Sequence, residues 1–511
     1  MKVIKHQDVC RILKDKELLL EEKLSAKQTD EVSVEADVTG ISYDNREVKS
    51  GDLFFAFPGE THDGHDYVVD ALSRGAVKAV VSHAVDGADP ARLIMVEDTI
   101  KAYGALAGEY RAQFHIPTIG ITGSVGKTTT KDLITAVLSE KFKTVATKGN
   151  LNNHIGLPRT VFTIDEETEV AVLEMGMNHL GEISYLTHIA QPTIATITNV
   201  GDAHIGLLGS RENIFKAKCE IFEGLAKDGL IVLNTDDAYL RRVQDDPSVT
   251  EGRTLVTIGE DAPAMLRAVE ITERADGITF AVAGDSPATS SAVRAAGSSD
   301  ARGTTDGVTA DAKRVLEVPL PGRHIIYPAL TAYAIGRHLG MSHEEIAHGI
   351  GNVVTSGKRM EITTREHNVT ILNDTYNANP QSMKAALHTL AKREGVKKIA
   401  VLGDMFELGD DAVRLHEEVG TYAAAAGIDV LVAVGELAEH MAFAARREAD
   451  THTASQASEP GAEAPATDLT VIHCKDKAAA AVTLKDLITP DCAVLFKASR
   501  GMALETLIDF W

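Results

Sequence analysis

The chain has 511 residues, 44% hydrophobic and 5% aromatic, the balance of an Ala/Val/Ile/Leu-rich α/β protein too long for one ordinary core, so three domains are expected. Its formal net charge of −23, from 74 acidic against 51 basic residues, argues against binding a nucleic-acid backbone or an anionic membrane. The start is not signal-peptide-like, no run of about 18 apolar residues occurs, and Cys10, Cys219, Cys474 and Cys492 are scattered, which predicts a cytoplasmic chain with reduced thiols and no membrane insertion.

In chain order, residues 1–97 read as a small mixed α/β unit containing "SYDNREVKSGDLFFAFPGE". Residues 98–356 carry near-continuous apolar runs ("PTIGITGS", "EVAVLEMG", "PTIATITNVG", "GLIVLNTD"), each closed by glycine or a polar residue. That pattern predicts a P-loop-type, mostly parallel sheet covered on both faces. A second set ("KKIAVLGDM", "DVLVAVGE", "LTVIHC", "CAVLFKAS") lies in residues 357–511 and predicts a Rossmann-like α/β domain. Segments 283–314 and 450–468, rich in Ser, Thr, Ala, Gly and Asp, have too few apolar residues to repay ordering and are expected to be mobile surface insertions.

The stretch "TIGITGSVGKTTT" (118–130) reads as a strand, a glycine turn and a helix start. Backbone N–H groups of Thr122, Gly123, Ser124, Val125, Gly126 and Thr129 can surround an anion there. Lys127 can reach the β/γ-phosphates of a nucleoside triphosphate, and Thr128 offers a hydroxyl to Mg²⁺. The spacing departs from G-x-x-x-x-G-K-[ST], because Gly123 stands only three positions before Gly126. Glu174, Asn199 and His204 fall where strands end and could converge on a metal–phosphate site, although each alone equally fits a helix cap or a satisfied core polar group. Lys218 by itself reads as a solvated helix lysine.

Together, "TGSVGKTTT", "GNLNNHIGLPRTVF", "LEMGMNHLGEISYL", "TNVGDAHIGLLGSRENIFKAKCEIF", "LPGRHIIYPALTAYAIG", "GKRMEI", "NDTYNANPQSM" and "KASRGMALE" resemble, in order, the blocks of the Mur ligases, ATP-dependent amide-forming enzymes of peptidoglycan precursor synthesis. Within that family, "DTYNANPQSM" with "MGMNHLGEI" is similar to the member that joins D-alanyl-D-alanine to UDP-N-acetylmuramoyl tripeptide. The resemblance implies ATP and Mg²⁺, with Thr128, Glu174, His204 and Lys218 at the metal, Lys218 matching a lysine often carbamylated. It implies catalytic roles for Lys127, His204, Lys218 and Arg359, and nucleotide contacts from the loop, Asn199, His324, Arg359 and Asp374. It assigns the dipeptide to Asn377, Asn379, Lys497, Ser499 and Arg500, and the uridine nucleotide to Ser42, Asp44 and Arg46. Proline stands at 328, where the family usually carries an asparagine associated with adenine. Proline has no side-chain donor, which leaves His324 or backbone groups to substitute. A monomer is expected. The rival readings are a folylpolyglutamate synthase-like ligase, against which the "SYDNR" block counts, and a nucleotide-hydrolysing switch protein, whose guanine signature N-K-x-D is absent.

Overall fold

The computed structural model describes residues 1–20, 37–59, 61–261, 263–284, 314–456 and 469–510. Three sheets succeed one another along the chain. The first is parallel, in the order β1 (Gly40–Ser42), β2 (Asp52–Phe55), β3 (Lys78–Val81), β4 (Leu93–Met95). Its core does not end at its last strand. Tyr103, on the helix Thr99–Arg111, meets Phe55 at 5.0 Å and Phe162 at 5.3 Å between ring centroids. One aromatic cluster therefore joins the first sheet to the second, as expected when large rings dominate a small core.

The second sheet comprises β5 (Thr118–Thr122), β6 (Thr144–Ala146), β7 (Val170–Glu174), β8 (Ile194–Ile197), β9 (Leu230–Asn234), β10 (Thr254–Gly259), β11 (Leu266–Glu273), β12 (Ile278–Ala283) and β13 (Val315–Val318). Its order is β13-β12-β11-β10-β9-β8-β5-β7-β6. Pairs from β6 to β11 are parallel, and only β11–β12 and β12–β13 are antiparallel. β5, β7, β8 and β9 are buried along their whole length, which is why their sequences are unbroken apolar runs rather than alternating ones. The chain leaves β5 toward β6 and β7 on one side and returns as β8 on the other, so the order reverses at β5. Ligands of doubly wound sheets bind in the crevice at such a point.

The third sheet contains β14 (Glu361–Thr364), β15 (Thr370–Asn373), β16 (Lys397–Gly403), β17 (Val430–Val434), β18 (Thr470–Cys474) and β19 (Cys492–Lys497), in the order β14-β15-β19-β16-β17-β18. Only β14–β15 is antiparallel. The segment expected as the first insertion separates β12 from β13, antiparallel neighbours, and its residues 285–313 lie outside the described residues. The second differs from expectation at its start. The helix Ala438–Gln456 runs through its first residues, because a helix already nucleated upstream extends cheaply through Ala, Gln and Thr; residues 457–468 lie outside the described residues. Among the described residues no helix is long and apolar enough to cross a membrane.

Candidate active site

The carboxyl ends of β5, β7, β8 and β9 face those of β15 and β19 across one cavity of about 690 Å³. On the central side, β5 runs straight into the glycine turn and the helix Lys127–Ser139. Gly126 caps that helix with φ +81°, a conformation costly for any residue with a Cβ. Gly123 is equally constrained, since a Cβ there would collide with Thr198 Oγ1. The turn is held from behind: Val125 N–H donates to Asn199 Oδ1 and Asn199 Nδ2 donates to Val125 O, both at 3.0 Å. Asn199 thus serves the loop's shape and also lines the cavity.

Lys127 folds back, its Nζ donating to Gly123 O at 2.7 Å. Burial pushes its pKa down, with Glu174 opposing and Arg359 reinforcing the depression. Thr128 Oγ1 donates to Glu174 Oε2 at 2.8 Å, and Asn152 Nδ2 donates to Oε1 at 2.8 Å. This hydroxyl and carboxylate beside a phosphate-type loop are hard oxygen donors of the kind Mg²⁺ takes, so the residues fit such an ion. His204, with φ +64°, lines the same cavity, and its Nδ1 lies 2.7 Å from Glu407 Oε2 in the loop that follows β16. Lys218 is 1% exposed, with a pKa lowered well below normal by burial and then by Lys127. It is no surface lysine, but it is not among the residues that line the cavity, and among the described residues no carboxylate pairs with it.

On the opposite wall, Asp374 follows β15 and Lys497 closes the neighbouring β19. Lys497 Nζ, 2% exposed, donates to Asp374 Oδ2 at 2.6 Å and to Asn377 O at 2.9 Å. Arg359 stacks its guanidinium 3.8 Å from the Tyr376 ring centre, a planar contact that aims it while leaving its donors free to bind an anion. Asn379 lines the cavity, yet its Oδ1 accepts from Ser382 N–H as the cap of the helix Pro380–Ala391. His324 lines the cavity with its ring exposed into that space, and the protein crowded around it lowers its pKa. Pro328 lies on the cavity wall in the first turn of the helix Ile326–His338, where a missing N–H leaves no intrahelical bond unmade.

Not every expected residue reaches this cavity. Ser499 is buried and accepts from Phe406 N–H at 2.8 Å, while Arg500 pairs with Glu505 at 2.8 Å. Ser42, Asp44 and Arg46 form a turn of their own on the first sheet. There Arg46 forks onto Asp44 and lowers its pKa to about 2. Residues that the sequence reading left unassigned include Asn152, Tyr376 and Glu407. Asn152 lies inside one of the family-like blocks, but only the fold shows that it meets Glu174 and that Glu407 meets His204.

Sequence models of three Mur ligase regions match in succession: the Mur ligase family catalytic domain at 37–111, the Mur ligase middle domain at 121–336, and the Mur ligase, glutamate ligase domain at 358–500. The UDP-N-acetylmuramoyl-tripeptide--D-alanyl-D-alanine ligase of Bacillus subtilis is 33% identical over 92% of both chains. The chain is a Mur ligase. The Escherichia coli protein of the same name is 34% identical, covering 93% of this Mur ligase and 94% of its relative. The crystal structure of MurF from Acinetobacter baumannii superposes with a TM-score of 0.81 at 28% identity, over 100% of this chain and 99% of that one. The three-domain architecture of this Mur ligase is therefore shared along the whole chain.

Proposed function

We propose that this ligase joins D-alanyl-D-alanine to UDP-N-acetylmuramoyl tripeptide in the cytoplasm, with ATP converted to ADP and phosphate through phosphoryl transfer to the acceptor. The observation that carries the reading is the facing of a phosphate-type loop by Arg359, Asp374, Asn377 and Lys497 across one cavity. An anion-binding helix start and a cationic, amide-rich wall from a second sheet suit a nucleotide on one side and a peptide amine on the other. Domain limits at 97/98 and 356/357 belong to the same reading.

A carboxylate resists amine attack because its charge repels the nucleophile and oxide is a poor leaving group. The γ-phosphoryl of ATP is transferred to the tripeptide carboxylate. The neutral dipeptide amine then attacks the acyl phosphate, the C–N bond forms, phosphate leaves with the electron pair of the broken C–O bond, and the nitrogen gives up one proton, which the departing phosphate can carry away. Two anions must approach for the first step, so charge has to be neutralised at the transferring group. Lys127 and Arg359 supply that from opposite walls, while Thr128 and Glu174 would hold Mg²⁺, which when bound would withdraw charge from the transferring group. His204 and Lys218 would complete the metal side, Lys218 as its carbamate. Asn199 keeps the loop in shape, and His324 takes the nucleotide base that Pro328 cannot bond. Ser42, Asp44 and Arg46 take the uridine nucleotide. The dipeptide lies against Asn377, Asn379 and Lys497, with Ser499 and Arg500 behind. The enzyme acts as a monomer.

The test is phosphate release with both substrates and with each omitted, together with mass spectrometry of the product. Release that is equal without either acceptor or dipeptide sinks the reading.

A further inference from the structure

The link between the second and third sheets passes through Thr355–Met360, and its two halves are tied to different bodies. Ser356 belongs to the phosphate-binding side. Its N–H donates to Asp132 Oδ2 at 2.6 Å, its Oγ donates to Asp132 Oδ1 at 2.8 Å, and Lys131 Nζ donates to that same Oγ at 3.2 Å. Lys131 and Asp132 both lie on the helix Lys127–Ser139, within two turns of the glycine loop. Their side chains are 4% and 7% exposed and meet at 2.9 Å. Lys131 also donates to Thr147 O at 3.0 Å, and Thr147 Oγ1 accepts from Glu174 N–H at 3.0 Å.

The other half belongs to the third sheet. Lys358 pairs with Glu505 at 2.9 Å, Tyr376 N–H donates to Lys358 O at 3.2 Å, and Met360 N–H donates to Asp374 Oδ1 at 3.2 Å. Lys358 and Met360 hold φ of +59° and +49°, left-handed values that residues with a Cβ rarely adopt unless neighbours enforce them. Between the halves stands Gly357, where an added Cβ would meet nothing within 4 Å. Arg359 stands three residues after the clamped serine.

A buried lysine–aspartate pair is a poor way to gain stability, since desolvating two charges offsets much of their attraction. What such a pair does supply is geometry, because every donor and acceptor must be met in one arrangement. We infer that Ser356, gripped by Lys131 and Asp132, is a positioning residue for Arg359: the clamp fixes, relative to the phosphate-binding helix, the point from which the guanidinium enters the nucleotide cleft. The inference rests on the proposed role of Arg359 at the transferring phosphoryl group. Misplacing a charge-stabilising group by a fraction of its reach lowers the rate without unfolding anything.

A double-mutant cycle between Ser356→Ala and Arg359→Ala tests it, read as kcat in the ligation assay and as the Kd of a fluorescent ATP analogue without turnover. Ser356→Ala is expected to lower kcat on the order of 10- to 100-fold with a melting-temperature loss of about 2–4 °C. In the Arg359→Ala background the same substitution is expected to have no further effect on either readout, and Ser356→Thr, which keeps the hydroxyl, restores the rate. A merely structural tie gives equal effects in both backgrounds, and that result overturns the inference, as does wild-type behaviour of Ser356→Ala or of Arg359→Ala. Absence of ligation by the wild-type protein would instead strike the functional reading, while the nucleotide-affinity cycle still decides the clamp.

Discussion

His204 Nδ1 and Glu407 Oε2 lie 2.7 Å apart across the cleft, each on a residue with φ +64°. The contact is supported two residues further along each loop: Gly206 N–H donates to Glu407 O at 3.2 Å, and a Cβ on Gly206 would come within 2.5 Å of Gly409 N. Two loops from different sheets thus touch through backbone as well as side chain, and His204 holds the Glu407 carboxyl below the usual carboxylate range.

Glu407 is half exposed, so its contact with His204 contributes at most about 0.2–1 kcal/mol to the juxtaposition of the two loops. Glu407→Ala is therefore expected to lower kcat by no more than about fivefold and to leave the melting temperature nearly unchanged. Gly206→Val, which drives a side chain into Gly409, is expected to reduce kcat much more. Ligation rates of the two variants check the order, and a larger loss in Glu407→Ala than in Gly206→Val contradicts it.

Lys127 is a second measurable case. Its ammonium is the charge nearest the loop, and in a water-poor site a missing donor is not replaced by solvent. Lys127→Ala is expected to lower kcat on the order of 100- to 1,000-fold or more. Turnover close to wild type would remove the loop from phosphoryl transfer.

Acid sensitivity follows from His416, fully buried beneath the Asp404–Glu407 loop. Its Nδ1–H donates to Ala412 O, and its Nε2 accepts from Met405 N–H at 3.0 Å. The acceptor role requires a neutral ring, and burial lowers the pKa from 6.5. The unfolded chain therefore binds this proton more readily than the folded one. Stability from this group is complete above pH 6.5 and declines as pH falls below it toward the folded value. Thermal melts from pH 7.5 downward should show a fall that is shallower in His416→Gln. Equal slopes would refute the assignment.

The first insertion can be removed at a defined place. β12 and β13 pair antiparallel, with Ala281 opposite Val315 and Val282 N–H donating to Arg314 O at 2.8 Å. Gly284 and Arg314 thus stand where the two arms of a hairpin would join, and a short connection begun by Asn-Gly fits between such arms. Replacing 285–310 by Asn-Gly is expected to leave kcat and melting temperature nearly unchanged. A large loss in either assigns the segment a role.

The sequence made the sheet centres legible because β5, β7, β8 and β9 are buried on both faces and so read as apolar runs. β11 is different. "LRAVEITE" alternates buried and half-exposed residues along much of its length, a period-two signal that a search for unbroken apolar runs passes over. The phosphate loop was legible because its chemistry is local, a turn followed at once by a helix start. The clamp on Ser356 was not: Lys131 and Asp132 are adjacent charges on a helix, which alone suggest a solvated face, and their partner stands more than 220 positions away. Lys218 was read singly as solvent-exposed for the same reason, since nothing in "IFKAKCEIF" tells which of its lysines turns inward.

The inward-facing Lys218 carries the sharpest prediction. Burial and Lys127 lower its pKa well below normal, which favours the neutral amine. A neutral amine can attack carbon dioxide, forming an N–C bond and releasing one proton, and the resulting carbamate is an anion beside Lys127 where an ammonium was disfavoured. Bicarbonate labelled with carbon-13 should therefore give a carbamate NMR signal that is absent in Lys218→Ala. That variant is expected to lose nearly all activity and to regain part of it in high concentrations of a short carboxylic acid, which fills the vacated volume with the missing charge. Lys218→Arg should not be rescued, because the guanidinium keeps the space occupied and retains its positive charge. Full activity in either variant would take Lys218 out of the site, and an inactive alanine variant with neither rescue nor a lost carbamate signal would assign the residue to packing.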